Sequence, residues 1–242
     1  MENSLRKSVK ILLAYTAVSQ GSITHELAAR FVGSYLACPP GVEHDTVIVC
    51  NGGPLARDLC LLFDPLGATF FPRVNDEGYD LTGYQDVAGR IPCEMLVCLG
   101  ESVYFHRGGW LKKLAQAWNL HGPGMYGLWT SNLIRPHMNT TGFVADPQDL
   151  KTYPRPTNRK ERYEFEHGKH SFWRHLYCIG KPTKLVTWDG VWEPPQWRVP
   201  PDILWRGSQE NCLMYCNHTD RYRSAPVNTR QRWEKAADQP FR

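Results

Sequence analysis

The stretch CEMLVCLGESVYFHRGGW, residues 93–110, decides how the rest of the chain is read. Residues 95–99 form a short apolar run that ends at Gly100, and Glu101 and Ser102 follow where a strand gives out. In an α/β protein, side chains at the carboxyl ends of central strands face the ligand crevice. A buried strand followed by an ordinary polar turn would look the same in isolation. The neighbourhood tips the reading toward a site: a glycine-spaced, polar-aromatic segment (78–89) lies directly upstream, and histidine-rich segments lie downstream.

Working outward, residues 9–17 read as a first, central strand, apolar almost throughout, with Tyr15 near its end. Residues 23–35 carry helical periodicity, with Leu27, Phe31 and Tyr35 on one side and Thr24 as a candidate N-cap. A second buried strand (46–50), a helix (55–63) and a third strand (68–71) follow. Strand–helix–strand–helix–strand order is what a parallel sheet covered on both faces produces. Inner strands of such a sheet are apolar on both sides, as the runs 9–17, 46–50 and 95–99 are. The expectation is an α/β fold, a mostly parallel sheet flanked by helices.

Further along, residues 110–118 are amphipathic, 125–129 read as a short strand, 172–178 as a helix and 182–188 as a strand ending at Asp189. The tract 192–201 holds four prolines and cannot sit in a sheet centre. Residues 207–216 look helical. Residues 153–170, dense in charge and with prolines at 154 and 156, read as a mobile surface excursion, and the chain beyond Arg223 as a loosely held tail. No repeat or clean linker appears, so residues 1–222 are expected to form one domain with elaborated C-terminal loops.

The composition, 42% hydrophobic and 21% charged, belongs to a folded soluble protein and argues against wholesale disorder. A formal charge of +4 is too modest to favour nucleic acid as a partner. Eight cysteines occur without a CxxC pair, which reads as buried thiols in a reducing, cytoplasmic setting. Cys212, Cys216 and His218 fall one ligand short of a structural zinc site. Neither a leader peptide nor an apolar run of about 20 residues for a membrane span is visible.

Divalent metals that handle phosphates want carboxylate oxygens with room left for the phosphates themselves. Glu101 at a strand end, with Asp80 or Asp86 nearby, could supply them, and His218 beside Asp220 could close the site, a ring nitrogen suiting manganese better than magnesium. Asp189 ends an apolar strand between Trp188 and Trp192. Such surroundings raise a carboxylate pKa by desolvation unless it is paired, and a raised carboxylate serves as a general base. A turn acid bonded to backbone amides is the plain alternative. His137 and Asn139 flank a short strand and could bind hydroxyls. No GxSxG, GxGxxG or GxxxxGK[ST] motif occurs.

The segments GYDLTGYQ (78–85), LVCLGESVYF (96–105), GLWTS (127–131) and HMNTTGFVA (137–145) together resemble the skeleton of rhamnan-synthesis-type glycosyltransferases and their small uncharacterised relatives. The resemblance covers roughly residues 10–222. It implies a GT-A-like, Rossmann-like domain that binds a nucleotide sugar through Mn²⁺ or Mg²⁺ and moves the sugar to a hydroxyl of a glycan or glycosylated acceptor. Asp80 matches the aspartate expected to contact the donor, with Tyr15, Tyr84 and Ser102 completing the donor side. Glu101 falls where the family has the aspartate of an aspartate–serine pair and takes the metal role, with His218 as a C-terminal ligand. Gly100 stands where the family has asparagine. His137, Asn139 and Trp188 fall to the acceptor side, and Asp189 to the base of an inverting reaction. The other reading of the same residues is a non-catalytic carbohydrate- or nucleotide-binding module.

Overall fold

The computed structural model describes residues 9–19, 22–74, 79–131 and 136–238. Asp76, Glu77 and Gly78 of the glycine-spaced segment lie outside the described residues. The first half alternates as the apolar runs require: β1 (Ile11–Val18), α1 (Ser22–Ala37), β2 (Asp45–Asn51), α2 (Arg57–Leu62), β3 (Thr69–Arg73), α3 (Tyr79–Arg90), β4 (Met95–Leu99) and α4 (Trp110–His121). Short elements then follow: β5 (Met125–Gly127), β6 (Thr130–Ser131), β7 (His137–Met138), β8 (Gly142–Ala145), α5 (Pro147–Thr152), α6 (Arg159–His167) and α7 (Phe172–Cys178). The last are β9 (Thr183–Val186), β10 (Val191–Trp192), α8 (Asn217–Ser224) and α9 (Val227–Ala237).

Eight of the strands form one sheet in the order β10-β9-β5-β8-β4-β1-β2-β3. β1 runs parallel to both β2 and β4, with Tyr15 opposite Ile48 on one side and Leu99 on the other. Two strands run against the rest: β8 pairs antiparallel with β4 and with β5, and the edge strand β10 pairs antiparallel with β9, so the remaining strands share one direction on either side of β8. The result is the Rossmann-like, mostly parallel α/β arrangement expected. Both faces of β1 are buried: Leu13, Tyr15 and Ala17 pack under α1 and α4, while Leu12 and Ala14 meet α3. That double burial is why the strand reads as an unbroken apolar run.

Four expectations fail. Residues 207–216 form no helix: Trp205, Gly207 and Gln209 all have φ near +70 to +80°, and Asp202 accepts hydrogen bonds from Ser208 and the Asn211 N–H to close a turn. Residues 159–167, expected within a mobile excursion, form α6, capped by Asn158 whose Oδ1 accepts from the Glu161 N–H at 3.0 Å. Thr24 lies inside α1 and is buried, so it does not cap the helix. Beyond Arg223 the expected tail is α9, whose Trp233 packs 4.9 Å from Trp205 and whose Glu234 accepts from the Tyr222 hydroxyl. Among the described residues, no helix is long and apolar enough to cross a membrane.

Candidate active site

The site is built at the carboxyl end of β4. Leu99 leads into Gly100, whose N–H donates to the Thr141 carbonyl at 2.7 Å. A β-carbon at position 100 would stand 3.1 Å from that carbonyl and 3.6 Å from Asp80 Oδ2. Glycine where the resembled family has asparagine therefore lets the strand end close against Asp80 and the turn before β8.

Asp80 enters from the first turn of α3. Its carboxylate meets the Arg162 guanidinium of α6 at 3.4 Å. Burial pushes the Asp80 carboxyl up, Arg162 pulls it back and Glu166 adds further upward push; the net direction is up. Arg162 responds oppositely to its surroundings: burial works against its charge, but Asp80 and Glu166 outweigh it and hold the guanidinium more firmly protonated.

One turn beyond Arg162, Glu166 is 8% exposed and forms the centre of a cluster. Its Oε2 accepts from Thr140 Oγ1 at 2.9 Å, while its Oε1 lies 3.6 Å from His137 Nε2 and 3.8 Å from His167 Nε2. The two imidazoles meet edge to face with centroids 3.8 Å apart. One ligand atom from each of His137, Glu166 and His167 falls within 4.8 Å of the other two, so the group can hold a divalent cation. Two imidazole nitrogens and one carboxylate suit manganese or zinc better than magnesium, which prefers an all-oxygen shell. Sequence reasoning placed His137 on the acceptor side and missed Arg162, Glu166 and His167 altogether. The readable signal was the cap: Asn158 followed three residues later by Glu161 opens a helix that sets Arg162 and Glu166 four apart on one face.

The two residues expected to share a metal are not joined by any hydrogen bond or ion pair among the described residues. His218, in the first turn of α8, packs 5.4 Å from Trp205 and senses Glu166 and Arg162; burial lowers its pKa, which keeps the imidazole neutral. Glu101 has a buried Oε1 with no hydrogen-bond partner among the described residues, the kind of atom a cation or a ligand hydroxyl would satisfy. Trp205 touches both the His218 ring, at 5.4 Å, and Trp233 of the C-terminal helix, at 4.9 Å.

Tyr15 and Tyr84 are fully enclosed. The Tyr15 hydroxyl donates to the Glu101 carbonyl at 2.7 Å and its ring stacks on Phe31 at 3.9 Å. Tyr84 accepts from Thr16 Oγ1 at 3.0 Å. Both hold the strand ends in place and neither has surface to offer a nucleotide. Ser102 is buried, and its carbonyl accepts from Arg30 at 3.0 Å. Asn139 is buried too, its Oδ1 bound by the Thr141 N–H at 2.9 Å.

Asp189 is exposed and paired, which reverses the conditional expectation of a raised pKa. Desolvation would raise it, but Thr187 Oγ1 at 2.6 Å and Asn211 Nδ2 at 2.6 Å together lower it. Trp188 beside it is half-buried, with the Arg107 guanidinium 4.4 Å over its ring. The thiols of Cys212 and Cys216 are buried, which pushes their pKa values up, and among the described residues they form no metal-ligand group with His218.

No protein-family model matches the chain, and no curated protein matches it. Among solved structures, the chain is similar to one described as a glucose-1-phosphate thymidylyltransferase from Bacillus anthracis in complex with a sucrose. The identity is 12% and the TM-score 0.50, over 73% of this chain and 85% of that one. It is also similar to S. aureus TarS 1–349, with 12% identity, a TM-score of 0.48, and coverage of 64% of this chain and 53% of that one. For a galactosyltransferase LgtC in complex with donor and acceptor sugar analogs, the values are 12%, 0.42, 59% and 60%. The chain spans about half of the TarS 1–349 structure and 29% of the longer TarS chain. At these identities the likeness concerns the fold alone, a Rossmann-like, mostly parallel α/β sheet.

Proposed function

We propose that this chain is a metal-dependent glycosyltransferase that moves a sugar from a nucleotide-sugar donor to a hydroxyl of a glycan or glycosylated acceptor. The observation that carries the reading is the His137–Glu166–His167 cluster, whose Glu166 and His167 sit on the same helix as Arg162, the partner of an Asp80 that closes against the strand end at Gly100. Mn²⁺ is the preferred ion on the chemistry of the donor set, with Mg²⁺ the weaker choice. A cation held there supplies charge neutralisation to a departing nucleoside diphosphate.

The chain's own residues have distinct parts. Thr140 fixes the Glu166 carboxylate so that its other oxygen faces both histidines. Asp80 holds Arg162 at the mouth of the crevice, where the guanidinium offers further N–H groups to a phosphate. Glu101 offers its unpartnered oxygen to the donor or its ion, and His218 stands as an added ligand from α8. Asp189, kept ionised by Thr187 and Asn211, receives the proton of the acceptor hydroxyl if the reaction inverts the anomeric carbon, with Trp188 as a sugar-stacking neighbour. The free cysteines fit a cytoplasmic site of action.

The test is a thermal-shift screen of sugar nucleotides with and without Mn²⁺, followed by release of nucleoside diphosphate in the presence of glycan acceptors. A sugar nucleotide that stabilises the protein only with the metal, and is then turned over, is the expected result. No stabilisation by any donor would refute the reading. One observation favours the second reading, a binding module: Asp80 and Asp189 both have partners already. Metal-dependent donor binding without any turnover would select it.

A further inference from the structure

We propose that the cavity between α7 and the Pro194–Gln196 turn is a subsite for an acidic saccharide, one whose sugar rings carry carboxylate or phosphate groups. The cavity measures about 680 Å³, within the range of small-molecule sites. Its apolar surface comes from Trp173, Tyr177, Pro194 and Pro195. Trp173 is buried against Trp197 with centroids 4.9 Å apart, while Tyr177 is 45% exposed. Flat apolar surface of this kind suits the C–H faces of a sugar ring.

The charged side chains that line it are cationic. Among the described residues, Lys169, Arg174 and Arg198 line the cavity and no carboxylate does. The Arg174 guanidinium lies 4.5 Å over the Trp173 ring. Arg198 is tied to the Asp238 carbonyl, and its Nε is buried without a partner among the described residues, as is Trp173 Nε1. Three cations over an apolar floor select an anion attached to a ring rather than a neutral sugar.

A second cavity of about 420 Å³ shares Lys169, Arg174 and Cys178 with the first and adds His170 and His175. Its one acid among the described residues, Asp149, is neutralised by Lys181 at 2.6 Å. The two shared cations therefore stand at the divide between adjoining cavities, which fits an oligomer running across both better than a single ring. Lys169 follows His167 by two residues, so its Cα lies within about 7 Å of the His167 Cα. This inference rests on the glycosyl-transfer reading only for the choice of a saccharide: the groove is where an acidic acceptor would lie.

The experiment is calorimetric titration of the full chain with tetragalacturonate and, in parallel, with maltotetraose, without nucleotide or metal. The acidic tetramer should bind at least about tenfold more tightly, and its affinity should fall as salt rises. The K169Q/R174Q double variant should lose at least about tenfold for the acidic tetramer, the scale of lost charge-assisted hydrogen bonds. Tyr177→Ala, at an exposed position, should weaken binding while keeping the salt dependence. Equal affinity for both tetramers, no binding at millimolar concentration, or a K169Q/R174Q protein that melts and binds as the parent does overturns the proposal. Tetraglutamate or a tetranucleotide binding as tightly, with the same response to K169Q/R174Q, overturns the saccharide class. Because the probe holds no nucleotide, its failure leaves the donor screen standing, and a failed donor screen leaves this titration readable.

Discussion

Replacing Glu166 by glutamine isolates the metal site. The amide keeps the shape of the side chain, and its oxygen can still accept from Thr140 Oγ1, now at 2.9 Å. What disappears is the charge facing His137 and His167 at 3.6 and 3.8 Å. Loss of an outer-shell partner already costs metal sites about 10–100-fold in affinity, so a lost ligand charge should cost at least about 100-fold. At a Mn²⁺ concentration about 100 times the parent's Kd, the ion stabilises the parent by about 2.7 kcal/mol. The variant, at a ratio near one, gains only about 0.4 kcal/mol. For a chain of this length each kcal/mol moves the melting point by roughly 2–4 °C. The Mn²⁺-induced shift should therefore fall from about 5–11 °C to about 1–2 °C. Differential scanning fluorimetry, with each protein referenced to its own metal-free melt, reads this directly. If E166Q shows the parent's Mn²⁺ shift across the titration, the cluster does not hold the ion.

Three further outcomes follow from other parts of the molecule. Asp189→Asn should leave metal-dependent donor binding intact and cut turnover by about 10²–10⁴-fold, measured as nucleoside diphosphate release; unchanged turnover removes Asp189 from the chemistry. His44, His106 and His218 all have pKa values lowered by burial. Below about pH 6.5 the unfolded chain takes up protons that the folded chain resists, so stability should fall with pH from there until the lowered values are reached. Urea melts at pH 7.5 and 5.5 check this, and equal midpoints would refute it. Gly83→Ala would set a β-carbon 2.8 Å from Val49 Cγ1 and 3.2 Å from Arg73 Nη1, and should destabilise by about 1–3 kcal/mol in urea melts.

The sheet's inner strands were legible because burial on both faces leaves an unbroken apolar run, as in Ile11–Val18 and Met95–Leu99. Direction was not legible: nothing in the Gly142–Ala145 sequence says that this strand runs against its neighbours. The helix carrying Arg162 and Glu166 was masked by its own composition. Of its residues only Phe165 and Glu166 are buried, so the apolar stripe that usually betrays a helix is missing. Glu101, His137, His218 and Asp80 were singled out by their neighbourhoods, but Tyr15 and Tyr84 look identical in sequence whether a tyrosine lines a crevice or supports it from behind. Partner choice was equally hidden: whether His137 would face a hydroxyl or a carboxylate depended on a helix that starts more than twenty residues later.

The run of ring contacts from Trp233 through Trp205 to His218 has a practical side. Trp233 belongs to the last helix, and Trp205 stands between that helix and the imidazole, with Arg221 lying over both indole rings at 5.5 and 5.8 Å. An expressed form ending before residue 227 would strip the backing from Trp205 and leave Tyr222 without Glu234. His218 would then be free to drift, although every residue of the crevice was still present. Weak metal response in a shortened protein would report the missing strut rather than an inert site.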